Sequence, residues 1–204
     1  MRIRIMACAV VAAAGGLMTQ WAAEPGASNT PEYTKDNQLV FPSNYREWIF
    51  LSSGLGMIYG PVAEANRDRP PAFDNVFVTP AAYKSFLETG KWPEKTMFVL
   101  EVRSGVTKGS INNGGHYQSE KLAVEAEVKD TSRFPGNGWA FFGFGQSNTS
   151  AKMFPASAAC YTCHPTKGAV DNTFVQFYPT LLPIAKQKGT LNPAYAAASA
   201  AEAH

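Results

Sequence analysis

The sequence predicts an α+β fold, built mainly from an antiparallel β-sheet with a few helices. Residues 96–103 (TMFVLEVR) and 121–129 (KLAVEAEVK) alternate between side chains of different character, as strands with two distinct faces do. Residues 138–144 (GWAFFGF) form a third candidate strand, because aromatic residues favour strands. The helical patterns are short and lie around and after these strands, which is typical of an α+β arrangement.

The N-terminus has the composition of a secretory signal peptide, which we assign to residues 1–23. Arg2 and Arg4 precede a short apolar stretch, and small residues follow it. The stretch is too short to span a bilayer, so we expect cleavage and no membrane association afterwards, with an uncleaved anchor as the alternative. Cleavage also removes Cys8 and leaves 16 basic and 16 acidic side chains. This balance provides no basic surplus for binding nucleic acid.

Composition divides the rest of the chain into three parts. Residues 24–40 are polar and are expected to form a loose N-terminal segment. Residues 41–190 carry the strand and helix patterns and are long enough for one domain with its own core. Residues 191–204 are rich in alanine and are expected to form a flexible tail.

The first half of the domain contains short elements. Residues 45–51 (YREWIFL) suit a strand or short helix, and residues 54–61 (GLGMIYGP) suit a glycine-punctuated loop. Residues 75–78 (NVFV) predict a short strand. Thr79 then caps a helix that has Pro80 at its first position and stops at Gly90.

Alternation assigns faces to residues 96–103. Phe98 and Leu100 share one face, while Glu101 and Arg103 share the other. The first face is therefore apolar, and an aromatic residue on it suits either a core or the lining of a pocket. The charged pair is expected at the surface or in a dimer contact.

The same pattern in residues 121–129 places the apolar side chains inward. Glu125 and Glu127 are then expected to face outward.

Two helices are predicted after the third strand. Residues 156–164 suit a short helix that Pro165 ends. Residues 173–188 suit a helix that is kinked by Pro179 and Pro183.

Residues 160–164 read Cys-Tyr-Thr-Cys-His, which is the attachment signature of haem c. Cys160 and Cys163 would hold one haem through thioether bonds, and His164 would be the proximal iron ligand. A redox dithiol or a disulfide would leave His164 unexplained. A zinc site would still need a fourth ligand, and no other cysteine remains after cleavage. Such attachment takes place outside the bacterial inner membrane, so the motif and the signal peptide together predict a periplasmic location.

Several sequence blocks resemble the cytochrome P-460 family, which includes the β-sheet cytochromes c′. The resemblance covers roughly residues 41–186. It implies a mainly antiparallel β fold with one haem c per chain, often in a homodimer. The blocks are YREWIF, FDNVFVTPAAYKSF, TMFVLEV, VKDTSRFPGNGWAFF and ACYTCH followed by TFVQFYPTL.

Leu100 occupies an informative position in this resemblance. Family members that oxidise hydroxylamine carry a lysine here that is cross-linked to the haem, and no lysine lies between Lys95 and Lys108. The resemblance therefore implies a haem without the cross-link. It favours binding of small gases such as NO in an apolar pocket that includes Phe98 and Leu100, with Phe141 from the third strand.

The sixth iron ligand is left open by the sequence. Met57, in a Gly-flanked loop, is the leading candidate, and a thioether ligand would suit electron transfer with a redox partner protein. The alternative is that Met57 fills the core. His116 is a weaker candidate, as ligand or proton donor. Without a sixth ligand the iron would be open to gases, and a haem enzyme that oxidises hydroxylamine or uses peroxide remains the alternative function.

Overall fold

The computed structural model describes residues 29–60 and 69–202, so the proposed signal peptide lies outside the described residues. The central feature is a five-stranded antiparallel sheet in the order β2-β3-β4-β5-β6, in which every strand pairs with its neighbour in sequence. A second pair, β1 and β7, is also antiparallel. The predicted α+β fold with an antiparallel sheet is confirmed. The strands are β1 (Leu39–Val40), β2 (Ile49–Leu55), β3 (Ala72–Val78), β4 (Met97–Val106), β5 (Tyr117–Lys129), β6 (Trp139–Gly145) and β7 (Ser150–Ala151).

The helices are short, and none that the structure describes is long and apolar enough to cross a membrane. The first begins as predicted, with Thr79 at its N-cap and Pro80 in its first turn. It ends at Gly90, where a positive φ of 70° lets the backbone N–H reach the Phe86 carbonyl. The α-helices are α1 (Pro80–Thr89), α2 (Cys160–Lys167), α3 (Leu182–Lys188) and α4 (Pro193–Glu202), and 3₁₀ turns occupy Tyr45–Glu47 and Val175–Phe177.

Apolar clusters cover both faces of the sheet. On one face, Met97, Val99 and Phe142 pack beneath the N-terminal segment and β7. On the other, Val78 and Phe98 pack against α1, α3 and the segment between α2 and α3. We call these the N-terminal face and the helical face.

The prediction that Glu127 faces outward is wrong, because both faces of the sheet are covered. Phe98 pairs with Glu127 across β4 and β5, and Leu100 pairs with Glu125, so all four residues lie on the helical face. The side chain of Glu127 is only 11% exposed, whereas Glu125 is exposed.

Two proline predictions also need correction. Pro165 does not end α2; it lies inside the helix, which continues to Lys167. A proline removes only one backbone hydrogen bond, and the Gly168 N–H still reaches the His164 carbonyl (2.9 Å). Residues 173–188 do not form one kinked helix but a 3₁₀ turn followed by α3, with Pro183 in the first turn of α3.

The two ends of the domain carry more structure than their composition indicates. Within the segment expected to be loose, β1 pairs with β7. The alanine-rich end contains α4, where Asn192 Oδ1 accepts a hydrogen bond from the Ala194 N–H (3.0 Å). Tyr195 packs against the cluster on the helical face.

The expected surface position of Glu101 is wrong. Its side chain is 1% exposed and forms ion pairs with Arg46 and Arg103 on the N-terminal face. It also accepts hydrogen bonds from the Tyr45 hydroxyl and the Asn75 amide. A charge is stable at this depth because all of these donors converge on one carboxylate.

Candidate haem site

Helix α2 brings the three residues of the haem motif together. Cys160, Cys163 and His164 are separated by three and four positions, so they share one side of the helix. Both thiols are free and partly exposed. The arrangement presents two sulfurs and an imidazole from a single helical turn.

The His164 ring is held in one orientation. Its Nδ1 lies 3.0 Å from the Asn172 carbonyl oxygen and 3.0 Å from Glu127 Oε2. The rings of Phe141 and Phe174 each lie 4.5 Å from the imidazole centroid. With the proton on Nδ1 facing these acceptors, Nε2 keeps its lone pair available for a metal.

A tight turn positions the Asn172 carbonyl. Val170 and Thr173 exchange backbone hydrogen bonds, and Asp171 and Asn172 between them have positive φ values of 47° and 63°. Asp and Asn tolerate this conformation better than most residues. Lys129 on β5 forms an ion pair with Asp171, which ties the turn to the sheet.

Next to α2, the helical face of the sheet is in close contact with the segment that leads into this helix. Gly143 lies on this face opposite Glu125, and the ring of Phe154 rests directly over it. A Cβ at position 143 would stand 2.5 Å from Phe154 Cζ, so the close approach requires glycine. The segment leading into α2 is thereby seated on the strand, with the Phe154 N–H bonded to the Phe141 carbonyl (2.8 Å).

These features can be compared with those of known proteins. A family model described as Cytochrome P460 matches residues 42–175. The chain belongs to the cytochrome P460 family. A comparison with curated proteins returns no match. Membership of the family supports haem and iron binding, as in a cytochrome.

The residues of this cytochrome fit a haem better than a structural metal ion. Two unpaired thiols, an oriented imidazole and the adjacent sheet face with Leu100 match what a covalently held haem needs. Within residues 29–60 and 69–202, no group of three His, Cys, Asp or Glu side chains could hold a metal ion. A zinc site at this motif would need such a group.

Burial and local charges shift the protonation of the site. Burial alone would lower the pKa of His164, but the carboxylate of Glu127 and the Asn172 carbonyl outweigh it, so the pKa is raised from 6.5. Burial also raises the pKa of the Cys160 thiol, and the negative charge of Glu125 adds to the effect. Unattached Cys160 is therefore kept in its thiol form.

Two carboxylates and a phenol extend the site. Burial and repulsion from Glu125 raise the pKa of Asp74 to about 6. Desolvation by neighbouring groups also raises the pKa of Glu125, although the residue is exposed to solvent. The pKa of Tyr59 is raised to about 12 chiefly by desolvation and by the charges of Asp74 and Glu125, although 57% of the residue is exposed to solvent. Side chains whose pKa values are shifted in this way are typical of functional sites.

Met57 lies on the same side of the sheet as these carboxylates. Its Sδ occupies the space over Gly54, which pairs with Asp74 on the helical face. Met57 is 42% exposed, so it does not fill the core, and its ligation of iron stays a prediction. Met97, by contrast, is buried on the N-terminal face, and Met153 is 49% exposed.

The aromatic candidates separate into different environments. Phe98 is buried beside Trp92 and Tyr178, next to Leu100 on the helical face. Phe141 lies against His164, on the side of the proximal ligand. His116 is exposed immediately before β5.

Glu127 and Asn172 are absent from the sequence-based site. The only available signal for Asn172 is the Asp-Asn pair, which indicates a turn. For Glu127 the sequence offers only the alternation of residues 121–129, which wrongly predicts that the side chain faces outward.

Proposed function

We propose that the protein is a periplasmic cytochrome with one haem c, attached through Cys160 and Cys163 and ligated by His164. The observation that carries this proposal is the orientation of His164, whose Nδ1 faces two acceptors while both neighbouring thiols are free. The haem would supply a redox-active iron, and the protein supplies the attachment and one axial ligand.

We propose electron transfer, binding of small gases such as NO, or both, as its role. Val76 and Leu100 are paired on the helical face, and β4 contains no lysine that could cross-link to a haem. These two apolar side chains suit an uncharged diatomic ligand. Electron exchange would require a redox partner protein, and a homodimer is consistent with the family resemblance.

Replacing Met57 with alanine distinguishes the two roles. If the thioether ligates iron, the wild-type ferric protein shows a sulfur-to-iron charge-transfer band that the Met57→Ala variant loses. The reduced variant then binds CO faster, because no ligand has to leave first. Optical spectra and CO mixing of the haem-loaded protein measure both effects.

Met153→Ala is the matched control, since Met153 has similar exposure and precedes α2. Its spectra should equal those of the wild type. A five-coordinate spectrum in the wild-type protein would reject thioether ligation and leave gas binding as the role. A spectrum without bound haem would reject the function as a whole.

A haem enzyme is the second candidate, and the raised pKa values of Asp74 and Glu125 favour it. A carboxyl group whose pKa is raised keeps its proton to a higher pH, so it can act as a general acid on peroxide or hydroxylamine. With Leu100 at the cross-link position, we expect an ordinary ferrous Soret band and no turnover of hydroxylamine. A red-shifted Soret band with hydroxylamine-dependent reduction of an artificial acceptor would contradict this expectation.

A further inference from the structure

The carboxylate of Glu127 is buried without an aligned hydrogen-bond partner. Its Oε2 is inaccessible to solvent and lies 3.0 Å from His164 Nδ1, while the well-aligned acceptor of that N–H is the Asn172 carbonyl, also at 3.0 Å. Within the part of the chain that the structure describes, Oε2 makes no aligned hydrogen bond. Burying such an oxygen costs free energy unless a positive charge lies close to it.

The nearby lysine on the same strand does not supply a positive charge to Glu127. Lys129 lies two residues after Glu127 on the same face of β5. Its ammonium group donates instead to Asp171 and to the Trp92 carbonyl oxygen (2.8 Å). The charges that act on His164 come from Glu127 and Glu125 and are both negative.

We propose that Glu127 is a positioning residue that shares the Nδ1 proton of His164 with the Asn172 carbonyl and makes the imidazole a stronger donor to iron. The inference rests on the proposed haem ligation by His164. A partner on the outer nitrogen of a ligating histidine fixes the ring and raises its basicity. A more basic axial ligand and a nearby negative charge both stabilise ferric over ferrous iron, so the midpoint potential falls.

Strand β5 fixes both acceptors at once. Glu127 reaches Nδ1 directly, and Lys129 holds the 170–173 turn that presents the Asn172 carbonyl. That turn keeps two non-glycine residues at positive φ, so its conformation depends on the surrounding contacts. The acceptor pair is therefore part of the sheet framework.

This arrangement bears on the choice between the two proposed roles. A thioether at the sixth position raises the potential, whereas Glu127 acts in the opposite direction. A lowered potential argues against a thioether at the sixth position and therefore favours an iron that keeps this position for a gas. The effect of Glu127 on the iron–histidine bond is expected whichever group occupies the sixth position.

The test uses the haem-loaded Glu127→Gln variant in a Met57→Ala background, which removes the candidate sixth ligand from every protein compared. The iron–histidine stretching frequency of the ferrous protein, measured by resonance Raman, should decrease relative to the Met57→Ala parent. The ferric–ferrous equilibrium should shift toward ferrous roughly tenfold, or about 59 mV for one electron.

Glu125→Gln is the matched control, because it removes the same charge from the same face of β5 without touching Nδ1. It should move the potential while leaving the iron–histidine frequency unchanged. Glu127→Asp keeps the charge at a greater distance and should give an intermediate frequency. If the Glu127→Gln variant fails to take up haem, the frequency of the Glu127→Asp variant tests whether Glu127 strengthens the iron–histidine bond.

An unchanged frequency in Glu127→Gln would overturn the proposal, as would an equal decrease in Glu125→Gln. Loss of haem from both Glu127 variants would indicate a purely structural residue and would also overturn it. Absence of haem from the parent protein would instead reject the proposed function.

Discussion

Replacement of both Cys160 and Cys163 with alanine is expected to abolish covalent haem retention. The chain has three cysteines, and Cys8 lies within the proposed signal peptide, so the mature protein has no other thiol that could form a thioether bond with haem. After expression with a haem c maturation system, acidified organic solvent should extract all haem from the double variant. The wild-type protein should retain its haem, and its intact mass should equal the mature chain plus one haem.

Single variants and a neighbouring control sharpen this experiment. Cys160→Ala and Cys163→Ala should each keep one bond and a reduced haem yield. Thr162→Ala changes an exposed residue of the same turn, whose hydroxyl donates to the Ala159 carbonyl (3.0 Å), and should retain haem like the wild type. Solvent-resistant haem in the double variant would show that attachment does not depend on these thiols.

The fold follows from local patterns in most places. Except for the first residue of the first and third segments, the predicted strands at residues 96–103, 121–129 and 138–144 lie in strands of the sheet. Thr79 and Gly90 bound their helix as expected. Such signals depend on neighbouring residues, so they can be recognised without knowledge of the tertiary contacts. Alternation separates the two faces of a strand but does not show which of them is covered, so it predicts the wrong position for Glu127.

The candidate site likewise contains residues that the sequence predicts and residues that only the folded structure brings together. Cys160, Cys163 and His164 are contiguous, so their chemistry can be predicted from spacing alone. The groups that orient His164 come from β5 and from the turn after α2, and their approach depends on packing across the sheet. No local pattern encodes a contact of this kind.

Glu101 illustrates the corresponding limit for a charged residue. Lys and Glu are seldom fully buried unless they are paired, so an exposed position was the reasonable expectation. Its partners Tyr45 and Arg46 come from a 3₁₀ turn distant in sequence, and Arg103 comes from the same strand. Only the folded arrangement shows that the carboxylate organises the N-terminal face.

The Glu101→Ala variant is expected to lose about 3 kcal/mol of stability, since removing one partner of a buried ion pair leaves the others unsatisfied. The Tyr45 hydroxyl and the Asn75 amide would lose their acceptor, while Arg46, whose side chain is 55% exposed, can be hydrated again. Glu101→Gln keeps the shape and one acceptor oxygen, so its loss should be smaller. Urea unfolding of the haem-loaded proteins, followed by far-UV circular dichroism, measures the difference.

The location of Glu101 implies that its replacement changes stability without changing the haem spectrum. It lies on the N-terminal face, whereas His164 contacts the helical face, so the Soret band of the folded variant should equal that of the wild type. Glu120→Ala, at an exposed position of β5, is the control and should change stability by less than about 0.5 kcal/mol. A shifted Soret band with unchanged stability would contradict the structural role, because it would mean that Glu101 acts on the haem and not on the packing of the N-terminal segment.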